Sequence, residues 1–176
     1  MTVDVELRPA AYTDLETLQR LMGPRDVWRN FGYHRAPSLF RLRLAFRAGE
    51  MRAMFIARAG ETEPAGFVLL FGGQGPAASV EFCIAISDGE HRGQGLARHA
   101  VLAVERHMLG GGRCGDLWAW MDRTNAPVLE LARSMDWPVL EGKRVTRAMV
   151  DGVTEEVHVR LTRAQWETLK AQGKRR

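Results

Sequence analysis

Residues 90–100, EHRGQGLARHA, place two glycines and an arginine between two regular runs. The first, SVEFCIAIS at 79–87, has strand character; the second, LARHAVLAVERHML at 96–109, has helical spacing. A strand-to-helix turn of this composition suits an anion. The first amides of a helix lack partners within it, and the helix dipole is positive there. Glycine lets the backbone approach a ligand closely in torsions other residues avoid. Gly93 and Gly95 supply that freedom, and Arg92 adds charge-assisted donors. An ordinary turn before a helix, or a basic patch for a polymer, would use the same residues. Glu81 is the second group with chemical potential. A carboxylate on an otherwise apolar strand is costly to bury unless it lies at an edge, is paired, or works as a base. Asn125 is the third. It precedes a helical pattern with Pro127 in its first turn, which suits an N-cap as well as a ligand contact.

Two familiar phosphate loops do not fit. The dinucleotide fingerprint requires a third glycine at position 98, which is Arg98 here, and no acidic residue on a following strand serves a ribose. The Gly-Lys-Ser/Thr of nucleotide hydrolases is absent. Residues 92–97, RGQGLA, instead resemble the Arg/Gln-x-x-Gly-x-Gly/Ala loop of the GNAT superfamily of N-acetyltransferases. The strand EFCIAIS before the loop, and WAWMDRTNAPVLELARSMDW after it, are similar to that family's second strand and asparagine-led helix. The resemblance covers residues 79–140; the first 70 match only in layout.

That resemblance implies acetyl-CoA as cosubstrate. Its pyrophosphate would rest on the loop formed by Arg92, Gly93, Gln94, Gly95, Leu96 and Ala97. Its pantetheine arm would pair with the backbone at Ile84 and Ile86, and Asn125 would add a hydrogen bond. The strands at 79–87 and 117–122 would splay to admit it. The EF that opens the strand and the LAR of the later helix are similar to bacterial protein-lysine acetyltransferases, whose corresponding glutamate is the proposed general base; here that is Glu81. Many family members carry a tyrosine in the later helix, at the position of Ala132 in this chain. Tyr12 and Tyr33, the only tyrosines, lie outside the matched unit, so no general acid is assigned. A thiolate of modest basicity can leave without one.

The elements needed to position these groups are legible over most of the chain. Val3, Val5 and Leu7 alternate like a strand, and Leu15, Leu18, Leu21 and Met22 have helical spacing before Gly23-Pro24. MRAMFIARAG and EPAGFVLLFGG are two strands around a turn at 60–64. After the central loop and helix come a strand at 116–122, a helix to Trp137, a hairpin through Asp151-Gly152 and a closing helix, RAQWETLKAQ. The predicted fold is α+β: one domain over residues 1–176, with a mostly antiparallel sheet of six to seven strands flanked by helices. Residues 25–52 carry seven arginines against two acids, interleaved with aromatics; they suit a solvated helix face or recognition of an acidic surface.

Composition bounds the function. The 176 residues are 45% hydrophobic and 26% charged, as in a soluble globular domain, and no apolar run approaches the ~20 residues of a membrane span. The net charge of +4 resides in the end of the chain, where Lys170, Lys174, Arg175 and Arg176 are expected to fray in solvent, so nucleic acid is a weak candidate. Cys83 and Cys114 form neither a metal motif nor a disulfide framework. His91, His99 and His107 are too widely spaced for a metal, and Trp118, Trp120 and Trp137 are expected in the core. The leading expectation is a cytoplasmic acetyl-CoA-dependent N-acetyltransferase, monomeric or homodimeric, acting on a protein lysine or N-terminal amine. A small-molecule amine acceptor, a non-catalytic acyl-CoA sensor and, last, a basic RNA-associated domain are the alternatives.

Overall fold

The computed structural model describes residues 4–87, 89–140 and 145–175. Seven strands form one sheet in the order β1-β2-β3-β4-β5-β7-β6. The strands are β1 (Val5–Pro9), β2 (Met51–Arg58), β3 (Gly66–Gly72), β4 (Ser79–Ile86), β5 (Asp116–Asp122), β6 (Val145–Met149) and β7 (Gly152–Thr162). All neighbours are antiparallel except β4 and β5. A parallel pair requires a crossover, and α4 (Leu96–Glu105) with a wider turn at Arg106–Gly110 supplies it. No helix among the described residues is long and apolar enough to cross a membrane.

Helices cover both faces, as the α+β reading requires. On one face α4 buries Ala100, Val101 and Val104 against Met54, Ile56, Val68, Leu70, Val80 and Phe82. On the other, α1 (Leu15–Leu21) and α3 (Leu39–Arg47) pack Leu15, Leu18, Leu21 and Leu42 on Phe55, Phe67 and Leu69. Consecutive residues of β2 and β3 thus enter opposite cores, so these strands are apolar runs with no alternation. The arginine-rich segment resolves into α2 (Arg25–Asn30) and α3, the latter capped by Ser38 Oγ accepting from the Arg41 amide at 3.4 Å.

The chain end departs from expectation. Helices α5 (Ala126–Ser134) and α6 (Arg163–Ala171) lie beside a tail that folds back on the domain. Lys174 pairs with Asp136 at 2.9 Å. The Arg175 guanidinium is 3% exposed: its Nε donates to Glu105 at 2.5 Å and its Nη2 to the Met135 carbonyl. The expected frayed end is therefore anchored through residue 175. Glu105, wholly buried in α4, needs a charged partner, and Arg175 is that partner.

Candidate active site

β4 and β5 pair over three residues only: Ser79 with Asp116, Val80 with Leu117, and Glu81 with Trp118. Beyond Glu81 the strands part, as the predicted splay requires, and a cleft of about 840 Å³ opens between them. From Phe82 to Ile86, β4 has a strand partner only in β3 among the described residues, and although Arg92 takes the Ile86 carbonyl, no strand covers its β5-facing edge, which can accept an extended ligand. Ile84 and Ile86 line this cleft, with Phe82, Met121, Val128 and Ala132.

The loop at the cleft mouth has the torsions that its glycines imply. Gly93 and Gly95 take φ of +73° and +83°, in the left-handed region, and Gly95 is the N-cap of α4. The first amides of this ten-residue helix, from Leu96 and Ala97 onward, therefore point out of the helix end beside the cleft. Gln94 Nε2 turns back to the Glu90 carbonyl at 2.5 Å, holding the loop's shape. Arg92 also lines the cleft, and its donors are engaged within the protein. Nε bonds the Ile86 carbonyl at 2.9 Å, Nη2 the Ser87 carbonyl at 3.4 Å, and Nη1 pairs with Asp26 at 2.6 Å. The guanidinium braces the loop against β4 and α2.

Asn125 is the N-cap residue of α5, but its side chain makes no capping bond and lines the cleft. Its position is fixed from below. Asp122, 1% exposed, accepts from the Thr124 amide and hydroxyl and from Thr154 Oγ1, while Arg29 of α2 pairs with its other oxygen at 2.8 Å. Burial alone would raise the Asp122 carboxyl, but these hydrogen bonds and Arg29 hold it below the ordinary value.

β4 divides its side chains between two environments. Val80, Phe82, Ile84 and Ile86 face the α4 core, whereas Cys83 and Ala85 pack toward α1 and α3. Glu81 belongs to the second set and is half-buried at the fork. Burial is the main influence on its carboxyl and raises it; Arg147, a hydrogen bond from the Trp120 indole and His158 oppose that rise, while Glu156 adds to it. Cys83 Sγ lies 3.9 Å from Glu81 Oε1, and burial, then Glu81, push the thiol up.

Sequence reasoning missed the groups around Glu81. Arg147 of β6 lies 4.1 Å above the Trp120 ring and bonds Glu156 of β7, which is 4% exposed. Glu156 also meets His158 Nε2 at 2.6 Å, and His158 stacks on Trp118. The period-two spacing of Glu156 and His158 marks them as neighbours on one strand face. Nothing local, however, indicates which face of the sheet β7 turns toward Glu81. Of the three tryptophans expected in the core, Trp137 is there, at 5% exposure, whereas Trp118 and Trp120 are half-buried walls of this polar cluster. His91 lines the cleft and lies 3.6 Å from Glu61.

A family model described as an acetyltransferase (GNAT) domain matches residues 4–137. Among solved structures, the fold is similar to spermidine N-acetyltransferase from Vibrio cholerae in complex with coenzyme A and spermine. That likeness has a TM-score of 0.79 at 16% identity and covers 93% of this chain and 98% of the other. A ribosomal-protein alpha-N-acetyltransferase in complex with coenzyme A gives a TM-score of 0.72 at 16% identity over 92% and 95%. An aminoglycoside acetyltransferase with coenzyme A gives 0.70 at 15% over 95% and 99%. No curated protein matches by sequence. At these identities the structures speak for the fold alone. The family model spans most of the chain, and the chain therefore belongs to the GNAT family of acetyltransferases.

Proposed function

We propose that the protein transfers an acetyl group from acetyl-CoA to a primary amine by direct attack in a ternary complex, with Glu81 as general base. The observation that carries this reading is the position of Glu81 at the last β4–β5 pair. The free edge of β4 leads to that point along one side, and the polar cluster reaches it from the opposite face. The loop amides at 93–97 would hold the pyrophosphate, the open edge at Ile84 and Ile86 the pantetheine arm, and Asn125 would bond the arm from α5.

An arriving ammonium has no lone pair, so one of its protons must first pass to Glu81, directly or through one water. The amine nitrogen then bonds the acetyl carbon, and the carbon–sulfur bond breaks with its electron pair on sulfur. A second amine proton goes to the thiolate, leaving an amide and coenzyme A as a thiol. Ala132 lines the cleft and offers no proton, which the modest basicity of a thiolate tolerates. Desolvation of Glu81 raises its carboxyl toward a working pH, as a base requires.

The acceptor we favour is a protein lysine or N-terminal amine, as in the lysine acetyltransferases that share the EF strand opening. An apolar strip on α3, where Phe40 and Leu44 are 74% and 60% exposed, would suit a macromolecular acceptor. The small-molecule reading rests on the likeness to the spermidine enzyme. Coenzyme A release against lysine peptides, spermine and kanamycin separates the two. If acetyl-CoA does not raise the melting temperature, both readings fall together.

A further inference from the structure

Beyond Glu81 no strand pairing joins β4 to β5 among the described residues: the β4 limb is paired to β3 and the β5 limb to β7. Side chains must therefore fix the separation of the two limbs, and helix α2 reaches both. In its first turn, the Asp26 carboxylate pairs with Arg92 Nη1 at 2.6 Å, and the same guanidinium donates to the Ile86 and Ser87 carbonyls at the end of β4. One turn later, Arg29 Nη1 pairs at 2.8 Å with Asp122, the last residue of β5, and Arg29 Nε pairs at 3.0 Å with Asp151 of the β6–β7 turn. Between these ties Val27 is buried in the α1–α3 core, while Asp26, Asn30 and Phe31 line the cleft. Just past the helix, Gly32 rests on the β5 limb, where an added Cβ would lie 3.3 Å from the Trp120 ring. Helix α2 thus crosses the fork where the backbone leaves it open.

We propose that Asp26 and Arg29 are positioning residues for acetyl-CoA: they strap α2 across the fork and hold the β4 and β5 limbs at the separation the cofactor arm requires. This rests on the N-acetyltransferase reading and adds to it the device that sets the width of the cleft. The two ties differ in strength. The Asp122 side chain is fully buried, so the Arg29 end is firm. The side chains of Arg92 and Asp26 are 45% and 53% exposed, so their pair is weak and screened by salt. Losing either tie lets the limbs sample widths that do not fit, and apparent affinity falls with the fraction of molecules that stay competent. A strap works only when both ends are tied, so the two residues share one contribution to binding.

Calorimetry with acetyl-CoA on the full-length protein tests this. Asp26→Ala is expected to keep the ligand-free melting temperature within about 2 °C, because an exposed pair carries little stability. It is expected to weaken acetyl-CoA binding about two- to fivefold, the range such a pair supports. Asp26→Glu, which keeps the carboxylate, is expected to bind more tightly than Asp26→Ala. Arg29→Met is expected to lose at least as much affinity as Asp26→Ala, and the double variant no more than Arg29→Met alone. Amide hydrogen exchange without acetyl-CoA is expected to quicken over residues 25–33 in Asp26→Ala, so the test stands even where Arg29→Met does not fold. Asp26→Ala binding acetyl-CoA as tightly as wild type, or more tightly, overturns the proposal. Additive losses in the double variant, or unchanged exchange over α2, overturn it as well. Failure of the transferase reading would register separately, as wild-type protein that acetyl-CoA does not stabilise.

Discussion

Replacing Glu105 by leucine tests whether the folded-back chain end supports the cofactor cleft. Glu105 is wholly buried, accepts from the Trp137 indole at 2.7 Å and from Arg175 Nε at 2.5 Å, and Arg175 itself is 3% exposed. Without the carboxylate, a guanidinium that is charged at every accessible pH stays buried, retaining only the Met135 and Lys174 carbonyls. Breaking a buried ion pair in this way costs about 3–5 kcal/mol. In a domain of this size about 1 kcal/mol corresponds to roughly 2–4 °C, so the melting temperature should fall by about 10 °C. The double variant Glu105→Leu/Arg175→Met removes both charges and should regain most of that loss, because a well-packed apolar pair replaces a buried ion pair at little cost. The functional consequence follows from Trp137, which packs on Phe82 of β4 at 5.0 Å and lines the cleft with Met135. The single variant should therefore also show a smaller acetyl-CoA thermal shift, and the double variant a restored one. Melting curves with and without acetyl-CoA decide the matter: a single variant within about 1 kcal/mol of wild type, or a double no better than the single, refutes the reasoning.

Glu81→Gln should lower kcat/KM by about 10²–10⁴-fold while the acetyl-CoA thermal shift persists, as expected for loss of a general base. Because burial raises the Glu81 carboxyl, wild-type activity should decline on acidification at a higher pH than an ordinary carboxylate would give; a pH–rate profile of both enzymes checks this. Gly95→Val forces a β-branched residue into φ +83° at a strain of about 1–2 kcal/mol, although its Cβ would meet only the His99 ring at 3.7 Å. Acetyl-CoA affinity, measured by calorimetry, should fall at least as far as stability does, and unchanged affinity would contradict the loop assignment. Asn125→Ala should leave stability within about 0.5 kcal/mol, below the usual penalty for a lost cap, while raising the KM for acetyl-CoA; the reverse pattern would make Asn125 structural. Glu156→Gln releases Arg147 toward Glu81 and removes a like charge, so the acid limb of the profile should move to lower pH; an unmoved limb argues against the coupling.

What the sequence discloses depends on how locally each feature is determined. The loop at 92–97 and the two faces of β4 are local: glycines that need positive φ, and a period of two around Glu81. Residues 25–52 are obscure because α2 has six residues, too few to show a periodic face, and because their arginines pair with distant partners, Arg29 with Asp122 and Asp151 and Arg43 with Glu16. The chain end looks like a solvated tail for the same reason. Its partner Glu105 lies 70 positions away, and only the fold discloses that this glutamate is buried. Arg147, Glu156 and His158 escape notice because register alone brings them to the fork: Trp118 pairs with both Glu81 and Arg160, and Trp120 pairs with His158.

The arrangement around the fork separates two demands on one carboxylate. A base must be accessible to an ammonium yet hold its proton firmly enough to take one near neutral pH, and a direct ion pair with arginine would prevent the second by favouring the charged form. Arg147 is close enough to act on Glu81, but its guanidinium bonds Glu156 and lies against Trp120. Glu156 thereby engages the cation, and desolvation remains the main influence on Glu81. Gly32 packs on Arg147 and Trp120 together, beside the same pair. If Glu81 is the base we propose, Glu156 tunes it through Arg147 and through its own charge.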